Sequence, residues 1–175
     1  MASQYLDRKS RPMVAVTGMG VVTSLGRGKE ENWLGLTSGI SGIRPITRFP
    51  TDGFKTTIAG TIEIPETQPY SAYELASEIA EDAITEALQQ ARLEIGRPFA
   101  GPLYIATPPS EFEWPLLAEL YRHGSANQSG SAYERMLAAA RTGQFEAYAR
   151  HLEFTSIASR LQERFATRGE PVSIC

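Results

Sequence analysis

Met13-Val14-Ala15-Val16-Thr17-Gly18-Met19-Gly20 decides how the chain is read. Four apolar residues in a row, closed by a threonine and two glycines one residue apart, predict a short buried strand with a tight turn after it. Val21 and Val22 carry the apolar run on to Thr23-Ser24-Leu25-Gly26. Lys29-Glu30-Glu31-Asn32 then opens a short helix expected to turn Trp33, Leu34 and Leu36 toward the core, with Gly39 and Gly42 ending it. Paired glycines after a strand also suit a dinucleotide loop, where bare backbone lets amides approach a pyrophosphate. Thr23 stands where that pattern wants its third glycine, and no helix opens there, so a tight structural turn is the better reading.

Outward from this stretch, residues 44–69 are dense in Pro, Gly and Thr, with β-prone pieces at 56–58 and 61–64 that predict a small hairpin or edge strands. Residues 73–92 carry the clearest element. Ala76, Ile79, Ala80, Ala83, Ile84, Ala87, Leu88 and Ala91 recur at helical spacing, and Glu74, Glu78, Glu81, Asp82 and Glu86 fall on the other side, which reads as a solvated face. Gly96 and Pro98 mark its expected end, and residues 103–107 predict a second buried strand stopped by Pro108-Pro109. Alternating strand and helix place the chain in the α/β class. Trp114, Leu116, Leu117 and Leu120 suit a helix with Pro115 at its first position. Ser131 and Glu134 have capping-box spacing for a helix carrying Tyr133, Met136, Leu137 and Ala140. A last helix over 155–168 sets Ile157, Leu161 and Phe165 on one stripe with Gly169 as its stop, and residues 171–174 begin a strand. Residues 1–11 read as a disordered arm, leaving 12–175 as one domain.

Composition narrows the function classes. The 175 residues are 42% hydrophobic and 21% charged, an ordinary globular balance. Seventeen Lys and Arg against 20 Asp and Glu leave a formal charge of -3, which argues against an affinity built on neutralising phosphates, so nucleic acid is not the expected partner. No apolar stretch reaches the roughly 18 residues a membrane span needs, and no basic start leads into an apolar signal core. Cys175 is the single cysteine and cannot form an internal disulfide; the cytoplasm is the expected compartment. His123 and His151 share no ligand-like spacing with Cys175 or with an acid pair, and read as surface or helix-end histidines.

Val14-Ala15-Val16-Thr17-Gly18-Met19-Gly20-Val21-Val22-Thr23-Ser24-Leu25-Gly26, Asn32-Trp33 and Ser38-Gly39-Ile40-Ser41-Gly42-Ile43 together resemble the opening of the β-ketoacyl-[acyl-carrier-protein] synthases, the type II branch above all. Ile46-Thr47-Arg48-Phe49-Pro50 and Ala59-Gly60 continue the likeness, and Arg168-Gly169-Glu170-Pro171-Val172-Ser173-Ile174 resembles the segment leading into that family's nucleophile strand. The resemblance implies the N-terminal half of a thiolase-like layered αβα fold, cut before the nucleophile turn. It implies a homodimeric acyltransferase of fatty acid or polyketide synthesis that takes an acyl group from a carrier protein onto a cysteine thiolate. Condensation with malonyl-carrier protein then loses carbon dioxide, two histidines of the second half assist, and no cofactor or metal is implied. A non-catalytic partner resembling chain-length factors is the alternative. Counted from Ser173-Ile174, Cys175 matches the residue three positions before the family nucleophile and reads as a small strand residue, with a catalytic thiol as the other reading. The resemblance also implies a basic carrier-docking run near the start of the long helix. Tyr70-Ser71-Ala72-Tyr73-Glu74-Leu75 stands there instead, which suggests a specialised branch of rhizobial or polyketide type.

Overall fold

A computed structural model describes residues 6–9, 11, 13–63, 71–107, 118–119, 121–122, 130–143, 146, 153 and 155–174. The chain divides into two compact units, Met1–Glu63 with Asp82–Ile95 and Ile64–Glu81 with Gly96–Cys175. Of the arm expected at the start, Asp7 and Arg11 form a turn, with Asp7 Oδ1 accepting the Lys9 and Arg11 amides at 2.8 and 2.9 Å.

In the first unit, residues 13–20 are not the buried strand their composition predicts. They belong to no ladder, and Val14 is 95% exposed. A strand exists through its neighbour's hydrogen bonds, and no described residue supplies one here. Pairing begins at β1 (Val22–Thr23), which turns through Ser24 and Leu25 into antiparallel β2 (Gly26–Arg27). Gly28, at φ 86°, then leads into α1 (Lys29–Thr37).

α1 lies the opposite way round from the expected orientation. Asn32 and Gly35 are buried, while Trp33, Leu34 and Leu36 are exposed, Trp33 by 69%. The cause is the Asn32 side chain, whose amide donates to the carbonyls of Gly26 and Gly28 at 2.9 and 2.7 Å and whose oxygen pairs with the Thr23 hydroxyl. A polar side chain satisfied by turn carbonyls is worth burying, and once Asn32 points inward its neighbours must point out. Gly35, one turn on, leaves room for the Leu25 side chain. Gly39, at φ 67°, closes the helix as expected, with Ile40 N–H donating back to Gly35 O at 2.9 Å. The strands expected at 56–58 and 61–64 are replaced by a different pair: β3 (Ile43–Pro45) runs antiparallel to β4 (Ile58–Gly60), with Arg44 opposite Ala59, and residues 61–63 lie in no strand.

α2 (Ala72–Gln90) matches the predicted long helix. Ser71 caps its start, its hydroxyl accepting the Glu74 amide at 3.0 Å. Its end comes earlier than Gly96 and Pro98 suggest. Arg92 takes the left-handed conformation at φ 58°, and Leu93 N–H donates to Leu88 O at 2.9 Å, a Schellman closure made without glycine.

The core of the second unit lies on α4 (Ser156–Phe165), where Ile157, Ala158, Leu161 and Phe165 are buried, the predicted stripe with one alanine added. α4 stops at Ala166, left-handed at φ 46°, three residues before the expected Gly169. Ser77, in the N-terminal part of α2, is fully buried with its hydroxyl donating to Tyr73 O at 2.8 Å. Arg160 lies over the Tyr73 ring and donates to Glu81 Oε1 at 3.2 Å. α3 (Ala132–Ala140) has the predicted capping box, with Ser131 Oγ accepting Glu134 N–H and the Glu134 carboxylate accepting Ser131 N–H.

β5 (Tyr104–Ala106) and β6 (Val172–Ile174) pair in parallel with Ile105 opposite Ser173. Parallel neighbours need a long connection, which here includes α3 and α4. The strand expected to be buried is half open: Tyr104 is exposed and Ile105 half-buried. Parallel strands are usually covered on both faces, and a two-stranded sheet of three residues a strand offers little to cover. Of the helix expected after Pro115, residues 118, 119, 121 and 122 are helical, while Trp114, Leu116, Leu117 and Leu120 lie outside the described residues.

Candidate functional site

The stretch from Gly18 to Gly20 lies along the C-terminal part of α2. A Cβ on Gly18 would stand 1.9 Å from Ala87 O, and one on Gly20 would stand 1.8 Å from Ala83 O. Two residues of extended chain and four of helix cover nearly the same distance, about 6.6 and about 6 Å. One glycine thus meets each successive turn of helix. The paired glycines are explained by this backbone-on-helix seam, which fills the space a pyrophosphate would need.

The same matching of repeats places the polar groups. Gln90 Oε1 accepts the Met19 amide at 2.8 Å, and one turn earlier Glu86 Oε2 accepts the Val21 amide at 2.9 Å. Glu86 Oε1 also accepts the Lys29 amide at 2.8 Å and faces the Lys29 ammonium at 2.9 Å, and that ammonium donates to Met19 O at 2.7 Å. Arg27 pairs with Asp82, one turn before Glu86. Hydrogen bonding from the Lys29 amide, reinforced by the Lys29 side chain and the Val21 amide, holds the Glu86 carboxyl below its usual value, against partial desolvation. A depression of about 440 Å³ opens beside these groups, lined by Val22, Arg27, Gly28, Lys29, Asp82, Thr85, Glu86 and Gln89 among others.

This cluster corrects the reading of the α2 acids as a solvated face. Glu86 and Asp82 are engaged in the first unit, and Glu81, in the second, holds Arg160 and lies 3.7 Å from Arg164. Spacing alone could not show it, because an acid that meets solvent and an acid that meets a backbone amide occupy the same helical positions. The one legible hint was Glu86 and Gln90 at i and i+4 on the edge of the alanine stripe. Chemically the arrangement positions chain: both Glu86 oxygens accept from backbone amides of the segments packed against the helix. No group of three His, Cys, Asp or Glu side chains among the described residues is placed to hold a metal.

The strand pointing toward the expected nucleophile turn is present. Val172 N–H donates to Leu103 O at 2.9 Å and Thr107 N–H to Ile174 O at 3.1 Å, so the ladder continues to the last described residue. Cys175, the only candidate nucleophile, lies outside the described residues, as do His123 and His151. At the expected docking position, Ser71 and Glu74 are used in capping α2. No helix among the described residues is long and apolar enough to cross a membrane.

Comparison with known proteins bears on the same elements. Residues 11–93 match the family model described as the beta-ketoacyl synthase N-terminal domain. The chain is 38% identical over 80 residues to 3-oxoacyl-[acyl-carrier-protein] synthase 2 of Coxiella burnetii, a match covering 45% of this chain and 19% of the relative. To the Vibrio cholerae protein of the same name it is 41% identical over 54 residues, 31% of this chain and 13% of that one. Among solved structures, the ishigamide ketosynthase/chain length factor superposes with a TM-score of 0.60 at 25% identity, over 91% of this chain and 38% of its own. The likeness therefore spans well under half the length of each of these relatives. Within that span residues 11–93 resemble the beta-ketoacyl synthase N-terminal domain, and the α/β fold is similar to part of a ketosynthase/chain length factor structure.

Proposed function

We propose that residues 12–175 form the N-terminal half-domain of a 3-oxoacyl-[acyl-carrier-protein] synthase, a condensing acyltransferase of fatty acid or polyketide synthesis. The match of residues 11–93 to the family's N-terminal domain carries this reading. Its substrates are malonyl-carrier protein and an acyl thioester, its partner the acyl-carrier protein, and the full-length protein is a cytoplasmic homodimer. β6 is the strand that leads into the nucleophile turn, and Cys175 corresponds by resemblance to the position three residues before the family's nucleophile. The 175-residue chain, which carries neither the turn nor the histidines of the second half, does not catalyse condensation by itself. Purified chain incubated with malonyl- and acyl-carrier protein should give no 3-oxoacyl product and no acyl-thioester on Cys175 by mass spectrometry; either species would overturn this assignment.

The second reading is a non-catalytic dimer partner, with which the likeness in fold to a ketosynthase/chain length factor is equally compatible. The reading frame past residue 175 separates the two. A cysteine three positions on, after a Thr-Ala pair, supports the catalytic reading. Another residue there, with the rest of the turn kept, supports the partner, and a frame that closes at 175 overturns both.

A further inference from the structure

Glu86 receives donors from two separate segments. Val21 N–H, Lys29 N–H and the Lys29 ammonium converge on its two oxygens at 2.8 to 2.9 Å. Adding a proton removes the negative charge on which these three donors converge and weakens the carboxyl as an acceptor for both amides. The Lys29 ammonium would at the same time lose its ion pair, keeping only Met19 O. The remaining charges near this point are Arg27 and Asp82, which pair with each other, and Glu30 and Glu31 on α1, with Glu31 accepting the Arg27 amide. The Glu86 side chain is 24% exposed beside the depression, so protons reach it without unfolding.

We propose that the Glu86 carboxylate is an acid-releasable latch: its protonation frees Gly20–Val21 and the start of α1 from α2 in one step, while the α4 core stays folded. The two segments let go together because one carboxylate serves both. Met19, with Gln90 as an uncharged acceptor, keeps a bond that does not titrate, which limits the opening to residues 20–29. Since the carboxyl is held below its usual value, the latch is closed at pH values above 4.5 and opens only as pH falls through its lower, folded-state value.

Amide NMR of the 175-residue chain across an acid titration tests this. Val21 and Lys29 should shift together, reversibly, with one midpoint below the ordinary carboxylate value, while Leu161 of α4 does not move. Glu86→Gln, which lacks the negative charge as the protonated acid does, should place both amides at their acid positions already at neutral pH. Gln90→Ala should keep the transition. Separate midpoints for Val21 and Lys29, movement of Leu161 with them, or native amide positions in a folded Glu86→Gln would each overturn the latch. If Glu86→Gln does not fold, the parent chain's titration decides alone.

Discussion

Gly20 carries its constraint through what lies opposite it. With Ala83 O 1.8 Å from where a methyl would stand, Gly20→Ala must push the chain off α2 or bend it, and should destabilise the fold by about 1 to 3 kcal/mol in a denaturant melt. A variant melting with the parent would show that the seam is loose. Arg92 is the reverse case: a side chain at φ 58° is strained where glycine is not, so Arg92→Gly should stabilise by about 1 kcal/mol. The glycines were legible as punctuation, and the carbonyls they admit were not, because the partner lies more than sixty residues away in sequence.

At the scale of elements, helices whose ends and faces are set by their own residues behaved as their patterns predict. α3 follows from Ser131 and Glu134 alone. Glu134 is held below its usual value first by the Ser131 amide and then by its hydroxyl, so the cap is intact above pH 4.5 and weakens as pH falls through the lower folded-state value. Ser131→Ala, which removes the hydroxyl and keeps the backbone N–H, should weaken that acid dependence without abolishing it and lower helicity over 132–140, read by NMR secondary shifts. α4 is held by burial. Leu161 is fully buried, so Leu161→Ala should cost about 2 to 5 kcal/mol, the largest loss among single truncations of its stripe. α1 departed from its pattern because a nine-residue helix with a polar anchor is oriented by that anchor. Asn32→Ala strands the Gly26 and Gly28 carbonyls and should cost about 1 to 3 kcal/mol.

At the scale of the whole molecule, many large apolar side chains among the described residues are exposed. Within the first unit Met13, Val14, Val16, Met19, Trp33, Leu34, Leu36 and Ile40 are all exposed. Large apolar side chains gathered on one unit beside a segment with no strand partner favour association. The isolated chain is expected to be oligomeric at low micromolar concentration by light scattering. A monodisperse monomer with a cooperative melt would show that this surface is tolerated in water.

Short-range patterns sufficed for α2, α3 and α4, for β5 and β6, and for the resemblance carried by residues 14–43, because helix periodicity, caps and turn residues act between positions a few residues apart. Tertiary structure alone decided which side of α1 is buried, whether residues 13–20 pair as a strand, and which acids of α2 are free. The face of α1 turns on the Gly26 and Gly28 carbonyls that the folded turn presents to Asn32, and the other two outcomes turn on groups distant in sequence, the Ala83 carbonyl for Gly20 and the Val21 and Lys29 amides for Glu86. Hydrophobicity and spacing describe what a residue could meet, and only the folded chain supplies the partner.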